Sequence, residues 1–285
     1  MKIYIIGITG MLGGKLFLEF LKNKTFKVRG SCRLLTQQII KHKKFIDLNC
    51  DIKNLELLNN KLVKYKPDLV INCAGAVKQK IGKNFDEKNT FYINSIFPHE
   101  LYKISSKIKS RLIHFSTDCV FDGKKGNYSE HFLPNSTDLY GLSKILGEVS
   151  YKNSLTLRTS IIGHEFNNKF GLLEWFLSQK KKCHGFSECY FSGFPTIEIY
   201  LILLKIIKNE KLSGIYHLSS QKISKFHLLS LISKIYKFKI LIKKNTNLKI
   251  DRSLNSNKIK KIINYNPPTW SKLIKNMYIN YTNNL

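Results

Sequence analysis

The segment G-I-T-G-M-L-G at Gly7–Gly13 constrains the fold most, because it lies directly between an apolar run, Ile3–Ile6, and a helix-patterned stretch, Met11–Lys22. In a strand–turn–helix setting each glycine answers a separate steric demand. Gly7 permits the tight turn, Gly10 lets backbone approach a pyrophosphate, and Gly13 lets the helix pack closely on the strand. Helix N-terminal amides and the helix dipole then face a phosphate. The pattern predicts a dinucleotide-binding first βα unit.

The rest of the first half keeps that rhythm. Short apolar runs at Lys27–Cys32, Phe45–Leu48, Asp68–Cys73, Leu112–Ser116 and Leu155–Thr159 read as strands. Helical spacing at Leu55–Tyr65, Asn89–Ile108 and Leu139–Tyr151 falls between them. Uninterrupted apolar strands alternating with helices predict a parallel sheet covered on both faces, an α/β fold of the doubly wound Rossmann type. After Ile161 the rhythm loosens. Helical patterns at Leu172–Lys181, Thr196–Lys208, Lys225–Tyr236 and Ser271–Tyr281, with short strands near Gly214–Leu218 and Lys239–Lys243, predict a smaller α/β lobe. The expected division is 1–160 for the dinucleotide-binding domain and 161–285 for a mainly substrate-binding lobe, with exchange of segments allowed.

An NAD-preferring site places a carboxylate at the end of the second strand for the ribose 2′-OH. Here that strand runs V-R-G-S-C-R into Arg33, and no acid follows until Asp47. A cation there suits a 2′-phosphate and favours NADP(H) over NAD(H). Asp51 and Ile52, after the third strand, are placed to flank the adenine.

Composition narrows the classes. The 48 basic and 19 acidic residues leave a net charge of +29. The excess is nearly all lysine spread from end to end beside heavy use of Ile and Asn, a bias that AT-rich codons explain. With no basic tail or zinc-finger spacing, no nucleic-acid partner is expected. No uncharged apolar run reaches the roughly 18–20 residues that span a bilayer, so no membrane partner is expected. The glycines and Lys15 break up the apolar start, which reads as folded structure and not as a leader. The six cysteines form no C-x-x-C pair and suggest reduced thiols in a cytoplasm. No metal cluster is expected, although Mg2+ can arrive with a diphosphate substrate.

The second chemical signal is Tyr140-Gly-Leu-Ser-Lys144, preceded by Ser116-Thr117-Asp118 at a strand end. Four residues apart on a helix, Tyr140 and Lys144 share a face. A cation near a phenol stabilises the phenolate, which fits Tyr140 as general acid–base for an alcohol–carbonyl pair. The Thr117 hydroxyl is suited to hold the same carbonyl oxygen. Among other polar residues, His114 reads as a satisfied interior group, and His164-Glu165 as a turn cap or a cleft pair. Trp175, Phe176, Trp270 and Tyr278 read as core.

Taken together, these motifs resemble an extended short-chain dehydrogenase/reductase of the dTDP-4-dehydrorhamnose reductase family. The resemblance rests on G-x-T-G-x-L-G, K-P-D-L-V-I-N-C-A-G (Lys66–Gly75), S-T-D-C-V-F-D-G (Ser116–Gly123) and Y-G-L-S-K-x-x-G-E (Tyr140–Glu148). It continues through L-R-T-S (Leu157–Ser160), Phe194-Pro195-Thr196 and G-I-Y-H-L (Gly214–Leu218). It implies reduction by NAD(P)H of the C4 keto group of a 4-keto-6-deoxy nucleotide sugar, in surface-polysaccharide precursor synthesis, by a monomer or homodimer. Thr117, Tyr140 and Lys144 would form the catalytic group. Cys73, Ala74, Gly75 and Asn94 would join Gly7, Thr9, Gly10, Met11, Leu12, Arg33, Asp51, Ile52, Tyr140 and Lys144 at the cofactor. Thr117, Asp118, Tyr140, Pro195, Thr196 and Arg252 would meet the nucleotide-diphosphate sugar.

Two segments depart from the family's pattern: N-C-A-G-A-V-K-Q-K at Asn72–Lys80, and Ile161 in place of an aromatic after R-T-S. Both touch the sugar in the family, so the sugar and its nucleotide carrier stay open. A non-catalytic NADP-binding regulatory subunit and an epimerase or dehydratase are the other readings of the same fold.

Overall fold

The computed structural model describes residues 1–77, 86–166 and 170–283. Residues 78–80 of the departing Asn72–Lys80 segment lie outside them. The chain forms two compact units. The first comprises Met1–Ser116, Thr137–Leu157 and Asn209–Ile215; the second comprises Thr117–Ser136, Arg158–Lys208 and Tyr216–Leu285. One of the passages between units is at Leu157–Arg158. The segments 117–136 and 209–215 are exchanged.

The first unit is built on β1 (Lys2–Ile6), α1 (Met11–Lys22), β2 (Lys27–Ser31), β3 (Ile46–Asp47), α2 (Leu55–Tyr65) and β4 (Leu69–Asn72). It continues through α3 (Glu87–Phe91), α4 (Phe97–Lys107), β5 (Arg111–Ser116), α5 (Leu139–Leu146) and β6 (Ser154–Arg158). Further on, the chain forms β7 (Ile161–Ile162), α6 (Leu172–Leu177), β8 (Lys182–Phe191), β9 (Phe194–Pro195), α7 (Thr196–Ile207) and β10 (Gly214–His217). The last elements are β11 (Ile223–Ser224), α8 (Lys225–Ile235), β12 (Leu241–Asp251), α9 (Asn257–Ile262) and α10 (Trp270–Thr282).

Among the described residues the main sheet has seven strands in the order β10-β6-β5-β4-β1-β2-β3. β1 pairs in parallel with both β2 and β4, so the strand order reverses beside β1. That reversal is the doubly wound topology, and it opens a crevice at the carboxyl ends of β1 and β4. Strand alternation assigns the faces. Tyr4 and Ile6 point into a core with Val70 and Leu112, closed by Leu58 and Leu62 of α2 and Phe97, Leu101 and Ile104 of α4. Ile3 and Ile5 are fully buried on the opposite face by the strand's period of two.

The second unit holds a small sheet in the order β11-β8-β12 and a parallel β7–β9 pair. β8 pairs in parallel with β12 and antiparallel with β11. The strand β8 was not legible as such, because its inward positions Cys183, Gly185 and Cys189 are small and weakly apolar. β12 runs well past the expected Lys239–Lys243 for the same kind of reason: most of its residues are exposed and none is fully buried. The helix expected over Leu139–Tyr151 stops at Leu146. Gly147 ends it, and a Cβ there would collide with the Asn94 carbonyl oxygen. Trp175, expected in the core, is 37% exposed, because the short helix α6 buries Leu173 and Phe176 instead. Phe176 and Trp270 are buried as expected, and Tyr278 is half-buried.

Candidate active site

In the first unit, the glycine turn is packed as its spacing requires. Gly7 has φ +82°, a left-handed conformation that favours glycine, and a Cβ on it would lie 2.8 Å from the Ala74 amide nitrogen. A Cβ on Gly13 would collide with the Gly7 carbonyl oxygen and lie 3.0 Å from Cys73 Cβ. Gly10 is different: the nearest atom to a Cβ there is the Gly7 oxygen at 3.4 Å, so its outer side is open. Gly10 is also the N-cap of α1, and no side chain caps that helix end. The amides of Met11, Leu12 and Gly13 have no intrahelical acceptor by helix geometry, which leaves them for an anion. Thr9 is half-buried in the same turn. This uncapped helix end behind an open glycine fits a dinucleotide pyrophosphate.

At the end of β3, Asp47 is already engaged. Its carboxylate takes two hydrogen bonds from Arg29, at 3.0 and 3.1 Å, and one from the buried Tyr4 hydroxyl at 3.0 Å. Held this way inside the sheet, Asp47 serves the fold. Burial and the adjacent Asp47 charge push the Tyr4 phenol far above its ordinary range, so it stays a donor. Arg33, two residues past β2, is exposed and forms no ion pair among the described residues. Asp51 turns its carboxylate to the Lys53 amide at 2.9 Å, and Ile52 is partly buried against the core cluster.

The loop after β4, Cys73-Ala74-Gly75, is anchored by two buried side-chain amides, Asn94, which the motifs point to, and Asn72, which they do not single out. Asn72 Oδ1 accepts from the Ala74 amide at 3.0 Å, which orients its Nδ2 toward His114 Nδ1 at 3.1 Å. An amide nitrogen only donates, so Nδ1 of His114 accepts and the ring proton sits on Nε2. That Nε2 has no partner, so His114 is interior but only half satisfied, a correction to the expectation. Burial first, and then the Lys144 charge, hold its pKa well below 6.5 and keep the ring neutral. Asn94 lies in a π-helical turn between α3 and α4. It accepts from the Ala76 amide at 2.9 Å and donates to the Ala76 carbonyl and to Ser143 Oγ at 3.0 Å. A single insertion of this kind often marks a functional position.

Helix α5 carries Tyr140 and Lys144 on one face. Asp138 starts it by accepting from the Gly141 amide at 2.9 Å. Tyr140 is half-buried, whereas Lys144 is only 5% exposed and donates from Nζ to the Phe115 carbonyl at 2.8 Å. Burial lowers the Lys144 pKa to about 8, against the opposing pull of the Glu148 carboxylate. A buried ammonium four residues from a partly exposed phenol is an arrangement suited to proton transfer at a carbonyl or alcohol oxygen.

In the second unit, Thr117 is buried and caps the one-turn helix Asp118–Val120, accepting from the Cys119 amide at 3.1 Å and donating to Asp118 Oδ1 at 3.2 Å. Thr196 opens α7, and a Cβ on Gly163 would lie 2.6 Å from its hydroxyl oxygen. Pro195 precedes it and is buried in β9. Arg252 donates from Nε to the Phe121 carbonyl at 2.8 Å and packs under Gly123. Glu165 accepts from the amide of Gly171, the N-cap of α6, at 2.7 Å. His164 bridges Glu174 at 2.7 Å and the Tyr236 hydroxyl at 3.0 Å. Among the described residues no cluster of three or more His, Cys, Asp or Glu side chains is arranged to hold a metal, and no helix is long and apolar enough to cross a membrane.

Residues 1–283 match the profile of the family described as RmlD substrate binding domain. The chain belongs to this family. A dTDP-4-dehydrorhamnose reductase from Aggregatibacter actinomycetemcomitans is 28% identical over 206 residues, covering 66% of this chain and 69% of that protein. Methionine adenosyltransferase 2 subunit beta from Danio rerio is 27% identical over 148 residues, covering 52% of this chain and 42% of its own length. The chain thus spans less than half of these beta subunits. A dTDP-4-dehydrorhamnose reductase structure from Bacillus anthracis, in complex with NADP, superposes with TM-score 0.80 at 20% identity and covers 98% of this chain and 99% of that one. That likeness bears out the α/β doubly wound fold of this RmlD-family chain.

Proposed function

We propose that the protein is an NADP(H)-dependent reductase of the C4 keto group of a 4-keto-6-deoxy nucleotide sugar. The observation that carries this reading is the buried Lys144 ammonium on the same helical face as Tyr140, in a unit whose first helix presents an uncapped, glycine-lined N-terminus. In this reading the first unit binds the cofactor and the second the sugar nucleotide. Gly7, Thr9, Gly10, Met11 and Leu12 cradle the pyrophosphate, and Arg33 takes the 2′-phosphate. Asp51 and Ile52 flank the adenine, while Cys73, Ala74, Gly75 and Asn94 line the remaining wall.

The bound cofactor supplies hydride. The chain's own part is to hold and protonate the oxygen: Thr117 donates a hydrogen bond to it, Tyr140 delivers the proton, and Lys144 keeps the phenol acidic and binds the nicotinamide ribose. Asp118, Pro195, Thr196 and Arg252 contact the sugar nucleotide, with Mg2+ arriving on its diphosphate. The enzyme works in the cytoplasm as a monomer or homodimer, with neither nucleic acid nor membrane as partner. Its basic surface raises the encounter rate with an anionic substrate.

A second reading is favoured by the matches to proteins named methionine adenosyltransferase 2 subunit beta: a non-catalytic NADP-binding subunit of another enzyme. Retention of Thr117, Tyr140 and Lys144 weighs for catalysis, because a subunit that only binds NADP needs no proton donor. Following NADPH absorbance with 4-keto-6-deoxy sugars on dTDP, UDP and GDP, with and without a 3,5-epimerase, separates the two. Consumption with one of them establishes the reductase. Tight NADPH binding without consumption of any favours the subunit.

A further inference from the structure

Glu148 closes the Y-G-L-S-K-I-L-G-E segment, beyond the end of α5. Once Gly147 has terminated the helix, the chain turns so that Glu148 Oε1 accepts a hydrogen bond from Ser116 Oγ at 2.7 Å. Ser116 is buried and is the last residue of β5. Its neighbour Phe115 accepts from Lys144 Nζ at 2.8 Å. Two hydrogen bonds of opposite sense therefore join consecutive residues of β5 to residues on either side of the α5 terminus. We infer that Glu148 is a positioning residue for Lys144: clamped by Ser116, its carboxylate fastens the end of α5 to the end of β5 and supplies the counter-charge to the buried ammonium.

The need for a counter-charge is physical. An ammonium taken out of water is costly unless a charge or several dipoles replace its hydration. Phe115 offers one carbonyl dipole, and an ammonium has three donors. Among the described residues, the titratable groups facing Lys144 are Tyr140 on its own helix, His114 on β5 and Glu148. His114 is neutral, and its ring in turn feels His99 of α4. Glu148 is the carboxylate whose charge acts on Lys144 and opposes the effect of burial. A carboxylate free to swing into solvent would do this weakly; the bond to Ser116 keeps it in place.

The role bears on the proposed reductase only through Lys144, so its first test uses the full-length protein without cofactor or substrate. Carbon NMR titration of the lysine side chains follows Lys144, assigned by the resonance lost in Lys144→Met. In Glu148→Gln the Lys144 midpoint falls below its starting value of about 8 by roughly one unit. Ser116→Ala removes this hydrogen bond without removing the carboxylate and gives a smaller fall in the same direction, which carries the test if Glu148→Gln does not fold. An unmoved midpoint in the folded variants overturns the inference. A second arm reads kcat/KM against pH. The alkaline limb of Glu148→Gln moves to lower pH with the acid-side rate kept, whereas a uniform loss with the limb in place means a merely structural role. If the wild-type protein reduces no nucleotide sugar but the midpoint still moves, the reductase reading fails and the inference stands.

Discussion

The Lys144 ammonium is seated on the main-chain carbonyl of Phe115 at 2.8 Å, so the one cation of α5 is anchored to the penultimate residue of β5. That contact turns a surface-type residue into an interior charge and ties the helix bearing Tyr140 to the carboxyl end of the central sheet.

Lys144 makes stability pH-dependent in a known direction. Its folded-state pKa, about 8, lies below the ordinary 10.5, so across that interval the unfolded chain binds more protons than the folded one. Stability from this residue is therefore lowest below about pH 8 and rises as pH climbs toward 10.5. Lys144→Met removes the buried charge. The difference in Tm, variant minus wild type, is expected to be more positive at neutral pH than near pH ~10, and differential scanning calorimetry at both values checks it.

Activity has the opposite dependence on the same group. The proposed reaction uses the ammonium, so kcat/KM falls as pH rises through the Lys144 midpoint of about 8. A pH–rate profile flat across that region removes Lys144 from the mechanism.

Tyr140→Phe keeps the ring and loses the proton. Turnover is expected to drop by about 10²-fold or more while NADPH affinity changes little, as for the loss of a general acid. Steady-state rates alongside fluorescence titration of NADPH test both halves, and retained turnover eliminates Tyr140 as the donor.

Arg33 is exposed, while the nearby carboxylate, Asp47, is committed to Arg29 and Tyr4. Arg33→Ala is expected to weaken NADPH binding by about tenfold or more and to leave NADH nearly unchanged, since a charge-assisted hydrogen bond to phosphate contributes about 1.5–3 kcal/mol. Equal losses for the two cofactors return Arg33 to the solvated surface.

Gly13 and Gly10 separate folding from binding. Gly13→Ala drives a methyl into the Gly7 backbone carbonyl, which cannot swing aside, and is expected to cost about 1–3 kcal/mol of stability. Gly10→Ala meets nothing nearer than 3.4 Å, so the fold is kept while the cradle is filled and NADPH binding weakens. Denaturant unfolding and cofactor titration on both variants give opposite patterns if the turn holds a pyrophosphate.

Much of the first unit was readable from pattern, because its strands are continuous apolar runs and its helices have a clear period. The glycine turn, the strand ending in Ser116 and the Tyr140/Lys144 helix all form where their spacing put them. The second unit resisted, since β8 and β12 bury few large side chains and draw their order from pairing with each other. Trp175 was misjudged because helical spacing says which residues share a face and not which face is covered.

The local chemistry was thus written into the chain: which glycines bear a close approach, which tyrosine and lysine share a helical face, and where a strand ends in hydroxyls. The tertiary structure alone decided the rest. It put Asp47 on Arg29 and Tyr4 and left Arg33 exposed, stopped α5 at Gly147 against Asn94, and brought Glu148 back to Ser116. Short-range spacing is transmitted through bonded geometry that any reader of the sequence can apply. Burial and the partner of a charge depend on residues tens of positions away, and only the folded sheet brings those within hydrogen-bonding distance.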